Sequence, residues 1–306
     1  MRFLAQLLLC WVLTAVLSSA SAAEVTVVSS ERTAGYMEAL DVLVAELARL
    51  NFPVSDVDLL AGGNLAALLA QQKPKLIVTL GTESLRQVLA QESRVPVLAA
   101  LIPRISFERV VRTNVGKVRV AALYLDQPIA RQLDLVRLAF PAAQRIGVLF
   151  GGESIAQRAV ISAAATARNL TTVNGMVGPT HTVASALSEA LDGADIFLAV
   201  PDPQVFNPNT VANVLMSTYR AHVPVMGFSP AYVRAGAALS LHTSPAQVGV
   251  QTAVLVRQFM QSGALPASQY SADFSVSVNE RVAHSMGLQL DTQDLVELLK
   301  RMERKP

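Results

Sequence analysis

The chain has 306 residues, a formal charge of +2 from 25 basic and 23 acidic side chains, and a composition that is 52% hydrophobic but only 5% aromatic. A balance this near neutral, with no block of basic residues, excludes a protein held electrostatically to nucleic acid or to an anionic membrane. The length allows one or two domains.

The first segment reads as an export signal. Arg2 supplies a positive charge, and an apolar run from Phe3 to Leu17 follows, interrupted by Gln6 and Thr14. The small residues Ala20-Ser21-Ala22 then fit signal peptidase, with cleavage before Ala23, and Ser21-Ala22-Ala23 fits one residue later. The alternative is an uncleaved anchor, but a spanning helix needs about 20 apolar residues and this run is shorter. Cys10 lies too early, and after too large a residue, for lipidation. A leader of residues 1–22 removes Cys10 and Trp11, the one cysteine and the one tryptophan, and with Arg2 it lowers the charge to +1. Thiol catalysis and disulfides are thereby excluded from the mature chain, which is large enough to fold on core packing alone.

Strands and helices then alternate. Val25–Val28 reads as a strand and Tyr36–Leu50 as a helix, from the stripe Met37, Leu40, Leu43, Val44, Leu47 and Leu50. A strand over Val54–Leu59, a helix over Asn64–Gln71 and a strand over Lys75–Leu80 follow. Gly81-Thr82-Glu83-Ser84 opens the next helix. Val95–Leu101 and Val118–Leu123 read as strands. The alternation restarts with a helix over Asp126–Phe140 and a strand over Arg145–Phe150, which ends in Gly151-Gly152-Glu153-Ser154. Helices are predicted over Ile155–Asn169, Thr182–Leu191, Asn209–Ala221 and Pro245–Ser262. Strands are predicted over Thr171–Met176, Ile196–Val200, Val223–Phe228 and Phe274–Val278, with Ala237–Leu241 extended.

The strands are continuous apolar runs, as in parallel sheets covered by helices on both faces. Two successive runs of about five βα units predict an α/β protein of two doubly wound parallel-sheet lobes. One wide sheet is the other reading, although open twisted sheets rarely exceed about ten strands. The first crossing between lobes falls near Tyr124-Leu125-Asp126-Gln127-Pro128.

Ligands of such sheets bind beyond the carboxyl ends of the strands, which singles out several loops. Ser29 and Ser30 follow the first strand. Gly81, Thr82 and Ser84, and likewise Gly151, Gly152 and Glu153, join a strand to a helix. Backbone N–H groups with a small hydroxyl can hold an anion there, or these are ordinary capped turns. Asp202, between Pro201 and Pro203, is placed to pair with an ammonium group or simply to begin a turn. Phe228 and Tyr232 offer the apolar wall of a solute pocket. Neither glycine loop is a Walker loop. His181, His222, His242 and His284 show no metal-ligand spacing, and no Gly-x-Ser-x-Gly elbow occurs, so an enzyme is not expected.

The segments Pro201-Asp202-Pro203-Gln204-Val205-Phe206-Asn207, Thr218-Tyr219-Arg220 and Val223 through Ala237 carry a resemblance. So do Leu125-Asp126-Gln127-Pro128 and the tail Val276 through Leu288. They resemble the ABC-transporter substrate-binding protein family with the type I periplasmic-binding fold, in the group that includes tryptophan- and tyrosine-binding members. The resemblance implies a clamp with three crossings, in which Pro245–Ser262 returns to the first lobe and the C-terminal tail to the second. The lobes are then 23–124 with 242–272, and 125–241 with 273–306. It implies a monomeric periplasmic receptor without a cofactor, which passes a small-molecule ligand to an ABC transporter permease in the inner membrane. The family's amino-acid binders carry Thr-Asp-Asn where this chain has Pro201-Asp202-Pro203, and a Ser-Asp segment where it has Phe228-Ser229-Pro230. The ligand class therefore stays open, with an aromatic amino acid as one candidate. The other functional reading is an exported sensor or interaction module that acts on a membrane partner.

Overall fold

The computed structural model describes residues 24–61, 64–91, 93–113 and 118–303. The predicted leader lies outside the described residues. The first sheet is built from β1 (Val25–Ser29), β2 (Val54–Asp58), β3 (Leu76–Leu80), β4 (Val97–Ile102) and β5 (Val120–Tyr124). The second is built from β6 (Arg145–Phe150), β7 (Thr171–Met176), β8 (Ile196–Leu198), β9 (Val225–Gly227) and β10 (Leu239–His242). Two late strands, β11 (Gln269–Tyr270) and β12 (Ser275–Val278), complete one edge of each. The orders are β11-β5-β4-β3-β1-β2 and β12-β10-β9-β8-β6-β7, parallel throughout except that β12 runs antiparallel to β10. The chain thus forms two doubly wound lobes, and a single wide sheet is ruled out.

The apolar strand runs serve two cores at once, because successive side chains point to opposite faces. In the first sheet Val25, Val27, Leu76, Val78 and Leu98 enter one core, and Val28, Ile77, Val97 and Ala99 enter the other. The first of these is covered by α1 (Ala34–Arg49); the second is covered by α2 (Leu65–Gln72), α3 (Thr82–Leu89) and α4 (Arg104–Arg112). In the second lobe α5 (Ile129–Ala139) and α6 (Arg158–Thr166) cover one face. The other face is covered by α7 (Val183–Leu191) and α8 (Val211–Arg220), with α9 (Pro230–Ala235) at its edge. The long α10 (Pro245–Ser262) returns to the first lobe, where Val248, Val256 and Phe259 join Leu40, Leu43 and Leu47 of α1. Its start is a reciprocal cap: Ser244 Oγ accepts from Gln247 N–H at 3.1 Å and Gln247 Oε1 accepts from Ser244 N–H at 2.8 Å. After β12 come α11 (Glu280–Ser285) and α12 (Thr292–Glu303), and Leu295 and Leu299 of α12 enter the core beneath α5.

Several expected bounds shift for local reasons. The helix expected from Asp126 begins at Ile129, because Pro128 holds the N-cap in an extended conformation (ψ 138°). The helix expected from Ile155 opens as a 3₁₀ turn, Ile155–Gln157, before α6. Helices α4, α9, α11 and α12 stand where the sequence analysis places none. In α4 Phe107 is buried with Val110 and Val111 packed beside it, while Arg104, Glu108, Arg109 and Arg112 face outward. Its start is capped from elsewhere in the chain, by Asp126 Oδ1, which accepts from Arg104 N–H at 2.7 Å.

The chain crosses between lobes after β5, after β10 and after β11, and one buried side chain binds all three crossings. Arg131, 8% exposed, donates through Nη1 to Gln127 Oε1 at 2.7 Å in the first crossing and to the Ser271 carbonyl at 2.9 Å in the third. Gln127 Nε2 donates in turn to Thr243 Oγ1 at 2.6 Å in the second. Arg131 Nε also meets Glu303 Oε1 at 2.5 Å, and its guanidinium lies 4.6 Å from the centre of the Phe274 ring. Replacing Arg131 with methionine strands these acceptors. Arg131→Met should lower stability by about 2–3 kcal/mol, the usual loss for hydrogen bonds to a charged group. Calorimetry should then record a Tm lower by roughly 4–12 °C for a chain of this size. Arg131→Lys, which keeps the charge without the fork, should recover less than half of the loss.

His242 ends β10 and is 8% exposed, with Nδ1 3.3 Å from Ser240 Oγ. Burial holds its imidazole below the ordinary value of 6.5, so the folded protein keeps it neutral. An unfolded chain takes up that proton more readily. The contribution is therefore complete above about pH 6.5 and is lost as the pH falls below it. His242→Gln should flatten this part of the stability–pH curve, measured by urea unfolding at a series of pH values.

Candidate functional site

Both sheets share the inner order in which the first strand lies between the second and the third. The connections after the first and third strands therefore leave in opposite directions, and a crevice opens at their carboxyl ends. In the first lobe that crevice lies between β1 and β3, in the second between β6 and β8. Most of the residues singled out from sequence fall at these two places.

In the first lobe the register pairs Ser29 with Leu80, so Ser30 and Gly81 are the next residues out. Ser29 Oγ turns aside and donates to the Glu31 carbonyl at 2.9 Å. Ser30 is 8% exposed and its Oγ has no hydrogen-bond partner among the described residues. Gly81 is the N-cap of α3 and has no side chain with which to cap it. Its φ of +91° is a conformation that L side chains rarely adopt, and the Tyr36 hydroxyl occupies the space a Cβ would take. Burial, reinforced by the nearby Glu31 carboxylate, pushes the Tyr36 phenol well above its usual range. Ser84 faces inward: its Oγ donates to the Leu80 carbonyl at 2.6 Å and the Gly81 carbonyl at 3.0 Å, fixing the turn. Thr82, half-buried, heads α3.

The second crevice is filled by the protein itself. Asp202 is 2% exposed. Its Oδ2 accepts from Glu153 N–H at 3.2 Å, Ser154 N–H at 2.8 Å and Ser154 Oγ at 2.7 Å, and its Oδ1 accepts from Gln204 N–H at 2.9 Å. Gly151 N–H donates to Ser154 Oγ at 3.0 Å and Gly152 N–H to Gln204 Oε1 at 2.8 Å. Every N–H of the loop from Gly151 to Ser154 thus has an acceptor within the protein. A Cβ on Gly151 would lie 2.6 Å from Asp202 Oδ1, so this approach needs glycine. Asp202 begins a turn, as one of the two sequence readings has it, and also ties the β6 and β8 loops together, which the sequence analysis did not foresee.

Phe228 and Tyr232 stand at the same end of the second lobe, with ring centres 4.4 Å apart. Phe206, which the sequence analysis did not single out, packs edge-on against both, at 5.8 and 5.7 Å. Burial pushes the Tyr232 phenol up to about 12, so it stays a neutral hydroxyl. A separate cavity of about 320 Å³, lined by Phe140, Asp195, His222, Pro224 and Met286 among others, opens at the opposite, amino ends of the second sheet's strands. Among the described residues no group of three His, Cys, Asp or Glu side chains is arranged to hold a metal ion, and no helix is long and apolar enough to cross a membrane.

Asp202→Ala should leave three N–H groups and a hydroxyl without their acceptor. The expected loss is at least about 3 kcal/mol, from a cost of roughly 1–3 kcal/mol per unsatisfied buried group. Urea unfolding followed by circular dichroism measures it, and an unchanged midpoint would refute this role.

The fold has solved relatives. One is an ABC domain in complex with L-Trp from Streptococcus pneumonia, 18% identical, covering 90% of this chain and 98% of its own, with a TM-score of 0.61. A ligand-free, open substrate-binding protein with adhesive properties from Clostridium difficile is 15% identical, covers 89% of this chain and 97% of its own, and has a TM-score of 0.70. A conserved domain protein from Vibrio cholerae is 18% identical, with 90% and 98% covered and a TM-score of 0.60. No curated protein sequence matches the chain. At these identities the likeness establishes the type I periplasmic-binding fold alone. The profile of the ABC transporter substrate binding proteins, by contrast, matches residues 37–301 of the sequence itself, and the chain belongs to that family.

Proposed function

We propose that this protein is an exported solute receptor, which captures a small molecule between its lobes and delivers it to an ABC importer in the inner membrane. The observation that carries the reading is the Ser30 hydroxyl. Buried polar groups find partners in nearly all folded proteins, and an exception calls for an explanation. Ser30 lies at the switch point of the first sheet, beside a helix start that has no side-chain cap. A ligand oxygen there would satisfy both. The positive end of α3 favours an anionic group, and Thr82 adds a hydroxyl. From the second lobe, the half-buried Phe228 and Tyr232, backed by the buried Phe206, would supply an apolar wall for the remainder of the solute. This combination suits an amino acid or a small organic anion, and the L-Trp of the pneumococcal relative makes an aromatic amino acid one candidate.

In this reading residues 1–22 are the cleaved leader and the receptor works in the periplasm as a monomer. The lobes are residues 23–124 with 242–272, and 125–241 with 273–306. Binding closes the lobes about the three crossings bound by Arg131.

The test begins with protein purified, unfolded and refolded to strip any bound solute, then screened by thermal shift against amino acids and small organic acids. A ligand at a hundred times its Kd stabilises by about 2.7 kcal/mol, a rise of roughly 5–11 °C for this length. Mass spectrometry of solute carried through a native purification identifies the compound independently. No shift with any solute and no carried compound would sink the proposal. With the ligand in hand, Ser30→Val should weaken binding about ten-fold, the worth of one hydrogen bond. The same change should leave stability unaltered or raised, because it removes an unpartnered buried hydroxyl. Unchanged affinity would remove Ser30 from the site.

A further inference from the structure

One ion pair among the described residues joins the two lobes away from the three crossings. Arg109 lies on α4 in the first lobe, and Glu153 lies in the loop after β6 in the second. The pair is forked, with Arg109 Nη1 donating to Glu153 Oε1 at 3.0 Å and Nη2 2.8 Å from Oε2. Both ends are mounted on fixed elements. Phe107 buries the inner face of α4, and Asp126 caps its start. Glu153 N–H donates to the buried Asp202 carboxylate. With the backbone held at both ends, the two side chains meet across the cleft without either element having to move.

We propose that Arg109 and Glu153 form a latch across the cleft, which holds the lobes together before a ligand arrives and makes their separation sensitive to ionic strength. Their side chains are 50% and 34% exposed, so the pair acts in a partly aqueous setting. A pair of this kind shifts an open–closed equilibrium by roughly 1.5- to 5-fold, and salt reduces the effect, since the screening length is about 10 Å at 0.1 M. The bearing of the latch on affinity rests on the solute-receptor reading. By biasing the lobes toward closure, it raises the fraction of protein already competent to bind. The latch itself concerns the ligand-free protein.

Small-angle X-ray scattering of the refolded, ligand-free mature protein tests it without any solute. The wild-type radius of gyration should rise from low to high salt. Arg109→Glu and Glu153→Arg should each show the larger radius already at low salt, and the double exchange should restore both the smaller radius and the salt response. A salt-invariant wild type, or single reversals that scatter like wild type at low salt, would overturn the latch. Circular dichroism melts check folding; should a reversal unfold the protein, Arg109→Gln takes its place, and the wild-type salt series decides on its own. A latch that behaves as described in a protein that binds no solute would overturn the receptor reading alone.

Discussion

A single buried guanidinium ties together the three segments that cross between the lobes. Each lobe has its own sheet and its own pair of cores. What holds them in register is Arg131, whose hydrogen bonds reach the first and third crossings directly and the second through Gln127. A charge at this depth is tolerated because Glu303 pairs with it through Nε and Nη2 and the Gln127 and Ser271 carbonyl oxygens accept from Nη1. The C-terminal helix α12 is drawn into the joint by the same contact. The strands β11 and β12, which belong to different sheets, flank the Ser271 carbonyl that Arg131 binds.

The lobes share one topology and use it differently. Each sheet opens a crevice where its strand order reverses. In the second lobe Asp202 and Gln204 satisfy the loop after β6 from within, and the half-buried Phe228 and Tyr232 rings pack on the buried Phe206 at the same end. In the first lobe the crevice keeps an unpartnered hydroxyl and an uncapped helix start, and so presents polar backbone.

Much of this was legible in the sequence. Alternation of apolar strand runs with helical stripes indicated the two doubly wound lobes, and glycines at strand ends marked both crevices. Those signals are local: a continuous apolar strand and a loop glycine advertise themselves within a few residues. Arg109 and Arg131 gave no such sign. Each looks like the charged face of an ordinary helix, and the partners of Arg131 at Ser271 and Glu303 lie far along the chain. Helix α4 was missed for the same reason, since its cap comes from Asp126.

By itself the sequence determined the alternating strands and helices that build the two sheets, though not helices α4, α9, α11 and α12, and which loops stand at the carboxyl ends of strands, because hydrophobic periodicity and turn chemistry act over a few residues. Only the tertiary structure decided what those loops do. It assigned Asp202 to the protein's own amides and left the Ser30 hydroxyl without a hydrogen-bond partner among the described residues. It also faced Arg109 toward Glu153 across the lobes. Whether a polar group is satisfied depends on which distant acceptor the fold brings within hydrogen-bond reach, and no local pattern encodes that distance.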